Sequence, residues 1–179
     1  MESQHADANE ELLLELTSKN TTRSIKDFSP EGISLESNLE GEAKGVYDAT
    51  FYATITMLVK PDRTIDYEVR QIHTTSDGDT ILVYYKGKSI IESPTQNRFV
   101  GKTTFQTSSK KLAWLNGMKA RHEGEYNPVA GENDFRVYGI RPGKGSLRLT
   151  AMRALKGQRM DREGDTGSQH QGRPGDLRR

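Results

Sequence analysis

The spacing of apolar residues changes along the chain near residue 33. Before that point, a capping-box pattern at 7–10 precedes Leu12, Leu13 and Leu16, which would share one face of a helix. We therefore expect a short helix over residues 7–16, which must dock on another element because it is too short to be stable alone. The polar segment 17–29 then predicts a linker.

Beyond residue 33, apolar and polar residues alternate, as they do in half-buried strands. The expected strands are 33–46 (with a break near 38–41 as an alternative), 48–60, 64–75, 79–91, 97–107, 117–126 and 134–140. A helix is expected over 108–116, between a Ser cap and an Asn-Gly stop. The pattern predicts an all-β fold, an antiparallel β-barrel of about eight strands with a short N-terminal capping helix, and a sandwich is the alternative.

Two turns predict how the central strands pair. Pro61-Asp62 and Asp77-Gly78 both fit three-residue hairpin loops whose last residue, Arg63 or Gly78, is left-handed. Glycine suits that position better than arginine does. In this register Met57 pairs with Tyr67 and Gln71 with Val83, so apolar residues of three strands lie on one face.

The predicted inner face carries many polar tips among its apolar residues. Its candidate binding residues are Phe51, Met57, Tyr67, Val69, Val83, Tyr85, Phe99, Thr103, Phe105, Met118 and His122. So many polar tips are more typical of a barrel with a ligand cavity than of a filled core. Both arrangements need the same alternation, so the sequence leaves the choice between them open.

Composition excludes several classes of function. The net charge of +1 gives no field for nucleic acid, and the absence of Cys excludes disulfides and thiolate metal sites. The four histidines lack ligand spacing, so we expect no metal. The sequence has no P-loop and no G-x-G-x-x-G motif, and we expect no cofactor. No apolar run is long enough to span a membrane and the N-terminal residues do not resemble a signal peptide, so we expect a cytoplasmic protein.

The apolar residues are concentrated in the middle of the chain. This distribution predicts three regions: 1–31 as the helix and linker, 32–150 as the barrel, and 151–179 as a mostly disordered polar tail. Residues 146–156 could add an edge strand or a helical turn.

Several short motifs resemble a bacterial barrel family of unknown function. Leu58-Val-Lys-Pro-Asp62, Asp66-Tyr-Glu-Val-Arg70 and Thr75-Ser-Asp-Gly78 are similar to its P-D-G turn, D-A-R strand and T-D-D-G turn. Phe105-Gln-Thr107 and Ala113-Trp-Leu-Asn116 are similar to its later F-R-T and A-W-L-N segments. The motifs are mainly turn and packing signals over roughly residues 40–140.

Arg63 and Glu68 depart from the Gly and Asp that are usual in this family. The wider group is the allene-oxide-cyclase-like barrels. It includes isomerases of fatty-acid epoxides and cyclases that form spirotetronate or spirotetramate rings by an intramolecular Diels–Alder reaction.

The resemblance implies a cofactor-free cyclase that acts on a polyene or polyketide substrate. Gln71 and His73, two residues apart on the inner face, are then the catalytic candidates for hydrogen bonding to a dienophile carbonyl. Leu12, Leu13 and Leu16 would belong to a lid over the barrel. These leucines could instead seal the barrel end or pack on a second subunit, which would make a homodimer.

Other interpretations stay open at this point. Gln71 and His73 could be a satisfied core pair, and Tyr67 and Tyr85 could be packing residues. An allene-oxide-cyclase-like isomerase and a non-catalytic barrel that binds lipid or polyketide are the alternative functions. We expect no nucleic-acid partner and no membrane partner.

Overall fold

The computed structural model describes residues 10–141, which form a closed antiparallel barrel. The strands are β1 (Glu11–Ser29), β2 (Gly32–Gly45), β3 (Ala49–Val59), β4 (Thr64–Thr75), β5 (Thr80–Ser93), β6 (Gln96–Thr107), β7 (Ala120–Asn127) and β8 (Glu132–Gly139). Each strand pairs with the next, and β8 closes onto β1. The predicted all-β barrel is confirmed. The predictions for residues 146–156 and for the tail at 151–179 lie outside the described residues.

The register predicted from the two turns is confirmed. Arg63 and Gly78 have φ angles of 68° and 84°, the left-handed conformation that the three-residue loops require. Met57 lies opposite Tyr67, and Gln71 lies opposite Val83. Because these pairs fix the alternation, the expected apolar face of β3, β4 and β5 points into the barrel.

The helix predicted over residues 7–16 is wrong for residues 11–16, which belong to β1. Leu12 and Leu14 pair with consecutive residues of β8, so Leu13 is an extra residue in a β-bulge. The bulge places both Leu13 and Leu14 in the core and leaves Leu12 exposed. The extra residue in the bulge thus gives the leucines of this strand a spacing that resembles that of a helix.

The linker predicted over 17–29 is also wrong, because these residues continue β1. β8 accompanies β1 only as far as Lys19, opposite Glu132. From there β1 pairs with β2 alone, so this part of β1 is an edge strand, while β2 remains paired with β3. Residues 21–28 of this edge are all exposed, which explains their mostly polar sequence. The barrel therefore begins within the region predicted as a separate segment, 1–31.

The connection between β6 and β7 holds one 3-10 turn, Ala113–Leu115, in place of the helix expected over 108–116. The Asn116 side chain accepts from the Thr107 N–H at 2.8 Å and donates to the Thr107 carbonyl at 2.9 Å. These two hydrogen bonds hold Asn116 against the end of β6, so the helical turn ends at Leu115. β2, by contrast, runs unbroken through residues 38–41.

The two ends of the barrel differ. The β6–β7 connection covers one end with Leu112, Leu115 and Met118, and Tyr47 packs there from the β2–β3 loop. We call this the sealed end. The other end, which we call the mouth, is surrounded by the turns of the β1–β2, β3–β4, β5–β6 and β7–β8 hairpins. In the described part of the chain, no helix is long and apolar enough to cross a membrane.

Candidate functional site

A small inner cavity occupies the middle of the barrel. Its volume is about 70 Å³. Its walls are formed by Ser18, Asn20, Leu39, Ile55, Met57, Ile65, Tyr67, Val69, Gln71, Tyr85, Ser89, Asn97, Phe99, His122, Tyr126, Asn133 and Phe135. These residues come from all eight strands, so only the closed barrel creates the cavity.

A larger apolar cavity of about 520 Å³ lies at the mouth, beside the edge formed by the end of β1. Met57, Ile65, Asn97 and Tyr126 line both cavities, so the two are adjacent. Ligand sites in proteins usually measure about 300–1,000 Å³. The inner cavity is far smaller than that, whereas the mouth falls within the range.

His122 connects three strands through buried hydrogen bonds. Its Nε2 lies 2.6 Å from the Tyr67 hydroxyl, and its Nδ1 lies 2.9 Å from the Thr103 hydroxyl. Both ring nitrogens are therefore satisfied inside the barrel, as buried polar groups require. This network fixes the orientation of Tyr67, whose ring forms part of the cavity wall.

Two glycines make room for this network. Gly87 and Gly101 face each other on β5 and β6. A Cβ at Gly87 would lie 2.5 Å from the Tyr67 hydroxyl oxygen, and one at Gly101 would lie 2.6 Å from His122 Cε1. Larger residues at these positions would displace the aromatic rings from their hydrogen bonds.

A second buried network lies towards the sealed end. The His73 Nε2–H donates to the Gln71 amide oxygen at 2.7 Å, and the Tyr47 hydroxyl lies 3.1 Å from His73 Nδ1. The His73 ring also stacks on Phe51, with centroids 5.0 Å apart. Gln71 lines the inner cavity while its oxygen is occupied by His73, so its amide N–H groups are what it can offer a guest.

The interior of the barrel is uncharged. Burial lowers the pKa values of His73 and His122 to about 3, so both rings are neutral at pH 7. Burial raises the pKa values of Tyr47, Tyr67 and Tyr85, so their hydroxyls stay protonated. The inner-cavity wall contains no Asp, Glu, Lys or Arg. Among the described residues, no cluster of His, Asp and Glu is arranged to hold a metal.

Three buried polar atoms on the cavity wall have no hydrogen-bond partner in the described part of the chain. They are the Tyr85 hydroxyl and the side-chain oxygens of Asn20 and Asn97. Such groups carry a desolvation cost and are uncommon in native proteins. Their position on this wall makes them candidates for contact with a ligand.

The structure brings together seven of the residues singled out from sequence: Met57, Tyr67, Val69, Gln71, Tyr85, Phe99 and His122 line the inner cavity. Phe51, Val83, Thr103, Phe105 and Met118 are buried but lie outside its wall, and so does His73, which contacts the site through Gln71. The three leucines assigned to a lid are in β1. Leu13 and Leu16 are core residues there and Leu12 faces outward, so they form no lid.

Sequence reasoning missed the contribution of the first two strands. Ser18, Asn20 and Leu39 line the inner cavity, and Arg23 and Ile25 line the mouth. The missed signal is the alternation at Leu14, Leu16 and Ser18, which continues to Asn20 once the bulge at Leu13 is allowed for.

Comparisons with known proteins support the fold of the chain but assign it to no family. No family model matches the chain, and no curated protein matches it. Several solved structures share its shape. A protein of unknown function from Clostridium acetobutylicum has a TM-score of 0.66 and 17% identity, covering 74% of this chain and 99% of its own. A β-barrel-like protein from Acinetobacter baumannii has a TM-score of 0.64 and 18% identity, covering 76% and 99%.

An enzyme from Penicillium herquei is also similar, with a TM-score of 0.57 and 25% identity. The match covers 77% of this chain and 99% of that enzyme. The comparisons therefore link this barrel to proteins of unknown function and to an enzyme.

Proposed function

We propose that the barrel is a cofactor-free cyclase that forms a spiro-tetramate or spiro-tetronate ring by an intramolecular [4+2] cycloaddition. The observation that carries the proposal is a cavity lined by apolar and neutral hydrogen-bonding groups without a charged residue. A cycloaddition converts π bonds of a diene and a dienophile into new C–C bonds, with no atom lost and no redox partner. It needs no charged acid or base.

Catalysis would come mainly from holding the two reacting segments in contact. Correct positioning of reacting groups can contribute roughly 7–11 kcal/mol to lowering a barrier. The Gln71 amide N–H and the Tyr85 hydroxyl are neutral donors on the wall and could polarise a dienophile carbonyl. His73 would act as a positioning residue, because its hydrogen bond orients Gln71.

The cavity volumes constrain where the substrate can lie. A space of about 70 Å³ accepts a ring or a short chain end, and the mouth of about 520 Å³ accepts the remainder. The reacting polyene would therefore fold where the mouth joins the inner cavity, against Met57 and Ile65, with its dienophile carbonyl directed towards Gln71 and Tyr85. The structural likeness to an enzyme from Penicillium herquei supports the view that a barrel of this shape can be catalytic.

The electrostatics favour cycloaddition over epoxide opening by an isomerase. Acid–base catalysts work best when their pKa lies near the working pH. The pKa values of His73 and His122 are about 3, and burial raises that of Tyr67, so none of these groups transfers protons readily at pH 7.

Turnover of a linear polyene tetramate by purified protein tests the proposal. The wild-type protein should accelerate formation of the cyclised product over the uncatalysed rate. Met57→Trp should fill the junction of the two cavities and lower kcat/KM by about a hundredfold, since small displacements of reacting groups cost that much. Thr56→Trp is the matched control, because Thr56 is the exposed neighbour on the same strand.

Failure of the wild-type protein to accelerate cyclisation would contradict the proposal. If the polyene bound tightly but was recovered unchanged, the barrel would be a carrier. If only an epoxide substrate turned over, it would be an isomerase. Equal losses in Met57→Trp and Thr56→Trp would show that the reaction takes place outside these cavities.

A further inference from the structure

Asn97 is a buried carboxamide that the fold leaves unused. It lies near the start of β6, is 5% exposed and lines both the inner cavity and the mouth. Its side-chain oxygen is buried without a partner among the described residues. Native proteins rarely keep such a group without a use, because each unpaired buried acceptor costs free energy.

A second unpaired oxygen lies on the same side of the cavity. The Asn20 side-chain N–H donates to the Tyr126 hydroxyl at 3.1 Å, while the Asn20 side-chain oxygen is buried and has no partner. Tyr126 lies opposite Asn97 in the β6–β7 pairing. Asn20 and Asn97 are therefore both neighbours of Tyr126, one through a hydrogen bond and the other through strand pairing. The wall contributed by β3 and β4 is mainly apolar and includes Ile55 and Ile65, with Tyr67 and Gln71 as its polar members.

We propose that Asn97 is a specificity-determining residue that binds a neutral cyclic amide of the guest. This inference rests on the proposed function, because it assumes that the guest occupies this cavity. A carboxamide presents an acceptor oxygen and N–H donors side by side. A lactam ring fixes its own N–H and C=O in the matching arrangement, so two parallel hydrogen bonds form. A lactone offers acceptors only and leaves the Asn97 oxygen unpaired.

The surrounding charges favour a neutral donor over a cationic one. The guanidinium of Arg23 lies 6.0 Å from the centre of the Tyr126 ring, so an ammonium group bound there would be repelled. Neither the wall of the inner cavity nor that of the mouth contains an acidic residue to balance such a cation. Among N–H donors, a lactam therefore fits these surroundings better than an amine does.

Calorimetric binding of three matched compounds tests this inference. The probes are a five-membered lactam with an n-hexyl chain, its N-methyl derivative, and the lactone of the same ring size and chain. Wild-type protein should bind the lactam about tenfold or more tightly than either analogue, which corresponds to one hydrogen bond left unmade. In Asn97→Leu, which has a similar volume, the three affinities should agree within about twofold.

Ile65→Val is the matched control on the apolar wall. This substitution should lower the affinity for all three compounds equally and leave the preference for the lactam unchanged. Thermal unfolding checks that the Asn97→Leu variant is folded. If the variant does not fold, the preference of the wild-type protein for the lactam is the result that tests the inference. Equal wild-type affinities for lactam and lactone, a preference that survives in Asn97→Leu, or no binding of any probe would overturn the inference.

The binding test of Asn97 and the turnover test of the cyclase proposal can give different results. A lactam preference without cyclisation of the polyene would overturn the cyclase proposal and leave the role of Asn97 intact. If the protein cyclised both lactam and lactone substrates and bound them equally tightly, the cyclase proposal would be supported and the role of Asn97 would be overturned.

Discussion

Two buried histidines determine the chemical character of the barrel interior. His122 is held between Tyr67 and Thr103, and His73 between Tyr47 and Gln71. Each ring has partners on both nitrogens and is shielded from water, so its neutral form is favoured. The interior therefore presents neutral hydrogen-bonding groups, although the two histidines would carry a charge if they were protonated.

The histidines should make the protein sensitive to acid. Their folded-state pKa values of about 3 lie below the ordinary value of 6.5, so the unfolded chain binds protons first as the pH falls. The free energy of unfolding should fall between pH 6.5 and pH 3 by about 1.4 kcal/mol per pH unit for each histidine. His122→Gln should show a shallower decline than wild type in urea unfolding at pH 7, 5.5 and 4.5. Parallel declines would contradict a neutral buried His122.

At the residue level, much of the inner face could be predicted from sequence. The turn chemistry at Arg63 and Gly78 determined the register, and the register determined that Tyr67, Gln71 and Tyr85 face inward. The partners of these residues could not be predicted, because hydrogen bonds such as that from Tyr67 to His122 join strands distant in sequence.

At the level of the elements, β1 shows how local spacing misleads. The capping-box pattern and the spacing of Leu12, Leu13 and Leu16 suggested a helix, whereas Leu13 is an extra residue in a bulge. Among the strands β2 to β8, the register shift in β5 comes only after Ile91, near the strand end, and the alternation of these strands predicted them closely. The 3-10 turn at Ala113–Leu115 depends on the Asn116 pairing with Thr107, a contact that sequence spacing does not show.

Two leucine substitutions distinguish the strand from a helix. In β1 Leu14 is fully buried, while Leu12 is 46% exposed. Leu14→Ala should lower the free energy of unfolding by about 2–5 kcal/mol, and Leu12→Ala by about 1 kcal/mol or less. In the helix, Leu12 would share the buried face and Leu14 would not. A larger loss for Leu12→Ala in urea unfolding would therefore contradict the strand.

At the level of the whole molecule, closure of the barrel creates the candidate site. Aromatic rings of Tyr85, His122 and Phe135 pack edge to face across the interior, with centroids 5.1–6.5 Å apart. They leave an inner space of about 70 Å³. Sequence alternation is the same for a filled and a hollow barrel, so this volume could not be predicted. It depends on how the side chains of all eight strands share one interior.

The asymmetry of the barrel predicts that the proposed guest enters through the mouth. The sealed end is packed with Leu112, Leu115 and Met118. The mouth is open beside the edge formed by the end of β1, where Ile25 and Phe28 are 75% and 77% exposed. A ligand should therefore contact Met57, which lines both cavities, and leave Met118 undisturbed.

Nuclear magnetic resonance of protein labelled with ¹³C-methyl methionine measures this directly. The Met57 signal, assigned by its loss in Met57→Leu, should move progressively as a polyene tetramate is added. The Met118 signal, assigned by its loss in Met118→Leu, should stay in place and serves as the internal control. A shift of Met118 with Met57 unmoved, or no shift of either signal at saturating ligand, would contradict entry of the guest through the mouth.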